Sequence, residues 1–214
     1  MYRAEIFAAS GMLDEIRESE QAEVLQNLKI SSLKYRKGEM IFCTGDLMDK
    51  VCIVASGSVR SEKNYPNGEV HIIEVYDESQ IFGLEVSVSR TQLSFLDYIC
   101  NEDADVYFVS MRSIEKSAYA GPISRALMHH LADDNIRTSH KLEILAENGL
   151  RARIMIYLRI LQQKADGNTV TVRMSREQLA QFLCVNRSAL SNELNKMKRE
   201  GVIDFSREKF TLLK

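Results

Sequence analysis

Cysteine is scarce in the 214-residue chain, and its four residues lie far apart: Cys43, Cys52, Cys100 and Cys184. No CxxC pair occurs, so neither a disulfide framework nor a zinc site is indicated, and we expect reduced thiols in a cytoplasmic protein. No apolar run approaches the roughly 18 residues of a membrane span, and the basic-then-apolar layout of a signal peptide is absent. The sequence therefore predicts no association with a membrane.

Motifs of catalysis are also missing. The chain has no Gly-rich phosphate loop, no nucleophile elbow and no HExxH. Only His71 precedes residue 120, whereas a β-roll enzyme of the cupin type needs clustered His and carboxylate ligands for its metal. The sequence thus predicts a non-enzymatic protein with no metal and no cofactor.

The net charge of −2 is the sum of an acidic N-terminal part and a basic C-terminal part of the chain. Residues 1–148 contain 15 Lys and Arg against 24 Asp and Glu, a net charge of −9. Residues 149–214 contain 13 against 6, a net charge of +7. A basic third on an acidic remainder indicates that the C-terminal part contacts a polyanion, with a solvated basic face as the alternative.

Short β-rich runs dominate residues 33–111, after a stretch of helical spacing over 11–28. Turn signals separate the runs, which are 40–42, 51–54, 70–76 and 105–109. Asn67-Gly68 predicts a hairpin, because both central residues of a type I′ turn need positive φ. Many short strands at such spacing predict a closed roll or sandwich, a fold that often holds a small ligand.

After Pro122 a helical stripe with a period near 3.5 residues begins. It comprises Ile123, Leu127, Leu131, Asp134, Thr138, Leu142 and Leu145. Such a stripe is typical of a coiled coil, so we predict a parallel homodimer seam in which Asp134 and Thr138 set register or touch a ligand. Packing of the stripe onto the chain's own roll is the alternative. The helix-stop signal comes at Asn148-Gly149.

Two short helices joined by a tight turn are predicted in the basic third. Ser175 and Gln178 form a capping box, and Asn186 is a good N-cap for a second helix that runs to about Arg199, before the stop at Gly201. Residues 202–205 and 209–213 then predict a β-hairpin. Together they predict a winged helix-turn-helix, whose second helix enters the major groove of DNA.

These segments together resemble the Crp/Fnr family of bacterial transcription regulators over nearly the whole chain. The segments that carry the resemblance are 37–39, 45–46, 56–59, 81–83, 175–180, 185–191 and 200–203. The resemblance implies an α+β fold: an N-terminal antiparallel β-roll (double-stranded β-helix) over 1–120, a long dimerisation helix over 121–148, and a C-terminal winged helix-turn-helix over 149–214. It also implies a homodimer that binds palindromic double-stranded DNA, contacts RNA polymerase, and activates or represses transcription in response to an effector.

Arg187 matches the family arginine that binds guanine, whose O6 and N7 accept two guanidinium hydrogen bonds. Ser188 and Asn192 stand where the family varies its base-reading residues, and Ser191 lies between them on the same turns. The family often has an acidic residue and a second arginine at those two variable positions, so a different target sequence is expected. The positions of Arg176 and Asn186 contact phosphates in the family.

Cys184 stands where the family turn often has Gly in a left-handed conformation, which would strain the backbone. A thiol redox sensor beside the DNA is the alternative interpretation of this residue.

The effector site departs from the family pattern. Cyclic-AMP binders have a Gly-Glu pair followed by Arg-Ser or Arg-Thr, whereas this chain has Gly83-Leu84-Glu85 and no arginine near Ser94. Without a bidentate cation a bound phosphate lacks its main counter-charge, so we predict an effector other than cyclic AMP. Glu85, Thr138 and Ser139 are the candidate effector contacts, the last two matching the pair that touches the nucleotide base. A roll without ligand that serves only as a dimer scaffold is the alternative. The resemblance leaves one more alternative, a haem bound through His71 or Cys100, because some members of the family bind haem through a His in the roll.

Overall fold

The computed structural model describes residues 3–66, 70–163, 165, 167–172 and 174–213. The chain divides into two compact units between Asp133 and Asp134. No helix within these described ranges is long and apolar enough to cross a lipid bilayer.

Two helices precede the strands of the first unit: α1 (Ala4–Ala9) and α2 (Glu18–Asn27). The helical spacing predicted over 11–28 is therefore correct only for its second half, since residues 11–16 form turns. Met12 and Leu13 in these turns are nonetheless fully buried. The apolar spacing indicated burial correctly, but Gly11 at φ +76° begins a turn instead of a helix.

Eight strands of the first unit form two antiparallel sheets. The strands are β1 (Ile30–Tyr35), β2 (Met40–Phe42), β3 (Lys50–Ser56), β4 (Val59–Asn64), β5 (Val70–Tyr76), β6 (Ile81–Phe82), β7 (Asp97–Cys100) and β8 (Ala104–Ser110). The first sheet has the order β1-β8-β3-β6 and the second the order β2-β7-β4-β5. The predicted β-roll is confirmed. Strands β4 and β5 pair antiparallel, while the turn predicted at Asn67-Gly68 lies outside the described residues.

Aromatic side chains fill much of the interior of the roll. Tyr98 and Phe82 are almost completely buried, and their ring centroids lie 5.3 Å apart. Tyr76, Phe42 and Phe108 pack in the same cluster. Burial of such large apolar rings stabilises the roll strongly.

Three helices follow strands of the roll: α3 (Leu84–Ser87), α4 (Met111–Glu115) and the long α5 (Ala120–Ala146). The structure corrects the predicted dimer seam at the start of α5. Ile123 and Leu127 are buried in the core of the chain's own roll, and Leu131 packs against that core. These three positions therefore follow the alternative interpretation, packing within one chain, because a stripe that is already covered cannot face a second copy.

The second unit has its own core. Its elements beyond α5 are α6 (Leu150–Gln162), β9 (Thr169–Thr171), α7 (Arg176–Phe182), α8 (Arg187–Arg199), β10 (Ile203–Ser206) and β11 (Lys209–Leu212). Ile154, Leu158, Leu194 and Phe210 belong to the buried cluster that joins these elements. The predicted winged helix-turn-helix is confirmed, with β10 and β11 as the wing. Strand β9, which pairs with β11, was not predicted.

Candidate nucleic-acid interface

Helix α7 begins at the predicted capping box. The Ser175 hydroxyl oxygen accepts a hydrogen bond from the Gln178 backbone N–H at 3.2 Å, and the Gln178 side-chain oxygen accepts one from the Ser175 N–H at 2.9 Å. Two N–H groups at the start of a seven-residue helix thereby gain partners that the helix itself cannot supply. The capping box fixes the point at which the helix-turn-helix starts.

The turn between α7 and α8 contains the predicted left-handed residue, since Cys184 has φ +54°. The Cys184 N–H donates to the Gln181 carbonyl at 3.0 Å, and the Val185 N–H donates to the Ala180 carbonyl at 2.9 Å. Arg153 of α6 donates to the Leu183 carbonyl at 3.1 Å. These bonds hold the left-handed conformation despite its steric cost for a residue with a Cβ atom.

Replacing Cys184 by Gly should stabilise the protein by about 1 kcal/mol, because Gly adopts positive φ without a Cβ clash. The free energy of unfolding, measured with urea, tests this. Cys184→Ala is the matched control, since it also removes the thiol but keeps Cβ. Equal stabilities of the Gly and Ala variants would contradict the assignment of strain.

Helix α8 begins at Asn186 as predicted. The Asn186 side-chain oxygen accepts hydrogen bonds from the Ala189 N–H at 2.7 Å and the Ser188 hydroxyl at 2.8 Å. The side chains of Leu190, Leu194 and Met197 are at most 1% exposed. One face of α8 is therefore anchored in the core, and the opposite face is left for other contacts.

The outer face of α8 is polar. Arg187, Ser188 and Asn192 are exposed, while Ser191 is half-buried toward one side. Asn195 and Arg199 are exposed as well and share the face of Ser188 and Asn192, because 3.6 residues make one turn. Neither residue is predicted from the sequence; Asn195 lies three residues after Asn192 and Arg199 four residues after Asn195, and this helical spacing was the available signal.

The wing packs against Arg176, the first residue of α7. The Arg176 guanidinium lies over the rings of Phe205 and Phe210, at 5.1 and 4.8 Å from their centroids. It also donates to the Arg207 carbonyl at 3.1 Å. Burial lowers the pKa of Arg176, but an arginine stays charged at neutral pH. Its cation–π contacts hold the wing against the helix-turn-helix.

Glu85 lies in α3 of the first unit, at the segment that resembles a nucleotide-phosphate site. Its side chain is exposed, and a carboxylate oxygen accepts a hydrogen bond from the Tyr98 hydroxyl at 3.3 Å. Gly83, at φ +64°, precedes the helix; a Cβ there would lie 2.3 Å from the Met48 methyl carbon. Burial is the main cause that raises the pKa of Tyr98, with a further contribution from Glu85, so the phenol stays a neutral donor.

A second carboxylate near this segment already has partners. Asp97 accepts hydrogen bonds from the Thr44 N–H at 2.5 Å and the Asn64 amide at 2.6 Å. Burial acts to raise the pKa of Asp97, but these bonds outweigh it and leave the pKa below its usual value. Arg90 is the only Lys or Arg between residues 82 and 98, so the segment carries more negative than positive charge.

Thr138 and Ser139 lie in the part of α5 that belongs to the second unit. Both are exposed, and the Ser139 hydroxyl donates to the Asn135 side-chain oxygen at 3.5 Å. Their hydroxyl groups are thus accessible to a ligand or to a second chain.

Comparisons with known proteins agree with this architecture. The sequence profile of the cyclic nucleotide-binding domain matches residues 32–117, and that of the Crp-like helix-turn-helix domain matches residues 152–214. The global nitrogen regulator of Synechococcus elongatus is 20% identical over 186 residues, 84% of each chain. The CRP-like cAMP-activated global transcriptional regulator of Mycobacterium tuberculosis is 23% identical and covers 93% of this chain and 90% of its own. The solved structure of FixK2 from Bradyrhizobium japonicum superposes with a TM-score of 0.60 at 21% identity, covering 87% of this chain and 94% of that chain.

The fold and the exposed helix define a DNA-binding protein with a winged helix-turn-helix and a roll of the cyclic nucleotide-binding type. The chain belongs to the Crp/Fnr family, which consists of transcription regulators and not of enzymes.

Proposed function

We propose that this regulator is a homodimer that binds a palindromic DNA sequence and responds to an effector other than cyclic AMP. The observation that carries the proposal is α8, whose inner face is buried while Arg187, Ser188 and Asn192 are exposed on its first turns. The major groove admits one helix, and side chains on the first turns of that helix reach the base edges. Because bacterial DNA lies in the cytoplasm, the protein acts there, with RNA polymerase as a partner.

The residues of the proposed interface have different tasks. Arg187 hydrogen-bonds a guanine through its planar fork, and Ser188, Ser191 and Asn192 read neighbouring bases. Arg176 and Asn186 contact backbone phosphates, which orients the helix without specifying sequence. In this proposal the guanidinium of Arg176 stays on the wing while its remaining N–H groups point to a phosphate.

Arg176→Ala should weaken binding to all duplexes alike and reduce the slope of log K against log salt by about 0.9, the value for one lost phosphate contact. Fluorescence anisotropy at several salt concentrations measures the slope. Phe205→Leu is the control, because it removes a stacking ring but keeps the guanidinium charge. An unchanged slope in Arg176→Ala would leave Arg176 a role in holding the wing only.

The dimer seam in this proposal uses a face of α5 different from the buried one. Exposed residues recur there at steps of four and three: Met128, Ala132, Asn135, Ser139 and Leu142. The side chains of Met128 and Leu142 are 60% and 65% exposed. This spacing fits a two-stranded coiled coil, in which the central polar residues fix the register.

The effector controls DNA binding through α5 in this account. A ligand bound in the roll at Glu85 shifts the two α5 helices and so repositions the two α8 helices; Thr138 and Ser139 on α5 are the candidate effector contacts that the family resemblance adds. It can do so only if it binds the two arrangements with different affinity. Gly149, at φ +106° immediately before α6, is the proposed hinge. The aromatic packing around Tyr98 favours a second candidate, a roll that holds no ligand and serves as a dimer scaffold.

Cyclic AMP should not bind measurably, because the segment around Glu85 lacks the Arg-Ser or Arg-Thr pair that supplies the phosphate with its bidentate cation in cyclic-AMP binders, and Arg90 is not part of such a pair. Isothermal titration calorimetry should record only the heat of dilution. The relative described as cAMP-activated, from Mycobacterium tuberculosis, is the positive control. Micromolar affinity for cyclic AMP would refute the prediction.

Selection of bound DNA from a random library tests the proposed function. The purified full chain should enrich one sequence with twofold symmetry and a guanine at equivalent positions of both halves. Failure to enrich any sequence would overturn it.

A further inference from the structure

Three charged side chains connect α6 to α8. The Arg151 Nε donates to the Glu193 carboxylate at 2.7 Å, and its Nη1 donates to the Glu200 carboxylate at 2.6 Å. The three side chains are 39%, 22% and 40% exposed. Hydrogen bonds between ionised groups of this length are among the stronger polar contacts in proteins.

The two carboxylates are well separated along the recognition helix. Glu193 lies in the middle of α8, and Glu200 is its C-cap. Seven residues separate them, which is about two turns or 10 Å of helix. Because the Arg151 guanidinium binds both carboxylates, it restrains the tilt and the rotation of α8 at the same time. A lysine ammonium is a single point charge and cannot reproduce this fork.

These contacts adjoin the side chains proposed to read DNA. Glu193 follows Asn192 directly, and Glu200 follows Arg199; Asn192 and Arg199 lie on the exposed face of α8. A rotation of α8 that moved Glu193 away from Arg151 would carry Asn192 with it. The position of Asn192 relative to a base is therefore linked to the ion pair on the neighbouring residue.

We infer that Arg151 is a positioning residue for sequence-specific DNA binding, and that it acts by fixing the orientation of α8 through Glu193 and Glu200. The inference rests on the proposed function of α8. The ionised states of Arg151 and Glu200 support it. The hydrogen bond from Arg151 is the main cause that lowers the pKa of Glu200, and the bonds to Glu200 and Glu193 raise the pKa of Arg151.

The test compares the full chain with Arg151→Ala, Arg151→Lys and the control Arg159→Ala. Arg159 is an exposed arginine in the last turn of the same helix, so its removal changes the net charge equally. Each variant is titrated against the duplex selected from the library and against a random duplex of the same length. Thermal unfolding followed by circular dichroism confirms that each variant is folded at the assay temperature.

Arg151→Ala should weaken binding to the selected duplex by about tenfold, in line with loss of two charge-assisted hydrogen bonds. Its binding to the random duplex should match that of Arg159→Ala, because non-specific binding needs charge and not orientation. Arg151→Lys keeps the charge, and its ratio of selected to random affinity should fall between those of the wild type and Arg151→Ala. This variant also answers the question if Arg151→Ala fails to fold.

Two results would overturn the inference. Equal losses on the selected and random duplexes would reduce Arg151 to a source of charge. A selected-to-random ratio unchanged in both Arg151 variants would limit the ion pairs to fold stability. In either case the wild type still binds its selected duplex, whereas a wild type that binds no duplex refutes the proposed function itself.

Discussion

Leu142→Asp should convert the protein to a monomer and lower its affinity for a palindromic duplex by about 10²–10⁴-fold, the gain that two linked binding modules provide. Leu142 is 65% exposed on α5, so the substitution costs the single chain little. In a parallel dimer the two new carboxylates face each other across the seam and repel. The loss of affinity follows from separation of the two α8 helices, with the helix-turn-helix intact in each chain.

Sedimentation velocity measures the oligomeric state, and anisotropy with the selected duplex measures affinity. Leu33→Asp is the matched control, since Leu33 is a 52% exposed leucine on strand β1 and the same substitution there should leave the dimer intact. A Leu142→Asp variant that stays dimeric and binds normally would contradict the proposed seam.

Arg187→Ala should weaken binding to the selected site by about 1–3 kcal/mol and abolish discrimination at one base position. The expected cause is loss of two parallel hydrogen bonds from the guanidinium to guanine O6 and N7. Arg187 is exposed at the first position of α8, so its removal should leave the fold unchanged.

A panel of duplexes with one base changed at a time measures this effect. The wild type should reject a substitution of the guanine, whereas Arg187→Ala should bind all four bases at that position equally. Arg187→Lys is the control that keeps the charge but loses the fork, and it should discriminate weakly. If Arg187→Ala retained the full guanine preference, another residue would have to read that base.

The helix-turn-helix could be predicted almost completely from the sequence because local rules determine it. The capping oxygens of Ser175 and Asn186 act within three residues, and the left-handed Cys184 ends α7 at the expected position. Caps and turns of this kind depend on a few neighbouring residues, so their positions can be predicted from the sequence.

The long helix was harder to interpret because periodicity shows that a stripe is buried but not which surface covers it. Ile123 and Leu127 pack inside their own chain, while an adjacent stripe, from Met128 to Leu142, stays exposed. Strand β9 could not be predicted because three residues are too few to show the alternation of apolar and polar side chains that indicates a strand. The stacking of Arg176 on Phe205 joins residues far apart in sequence, and no local pattern encodes such a contact.

The central claim is that two α8 helices occupy successive major grooves on one side of the duplex, and the spacing of the two half-sites tests it most directly. The affinity of the full chain is measured for the selected palindrome and for the same palindrome with about five base pairs, half a turn, inserted at its centre. The account predicts that the insertion weakens binding to the level of a single half-site, because the second helix then meets the opposite side of the duplex. Equal affinity for the two duplexes would contradict it.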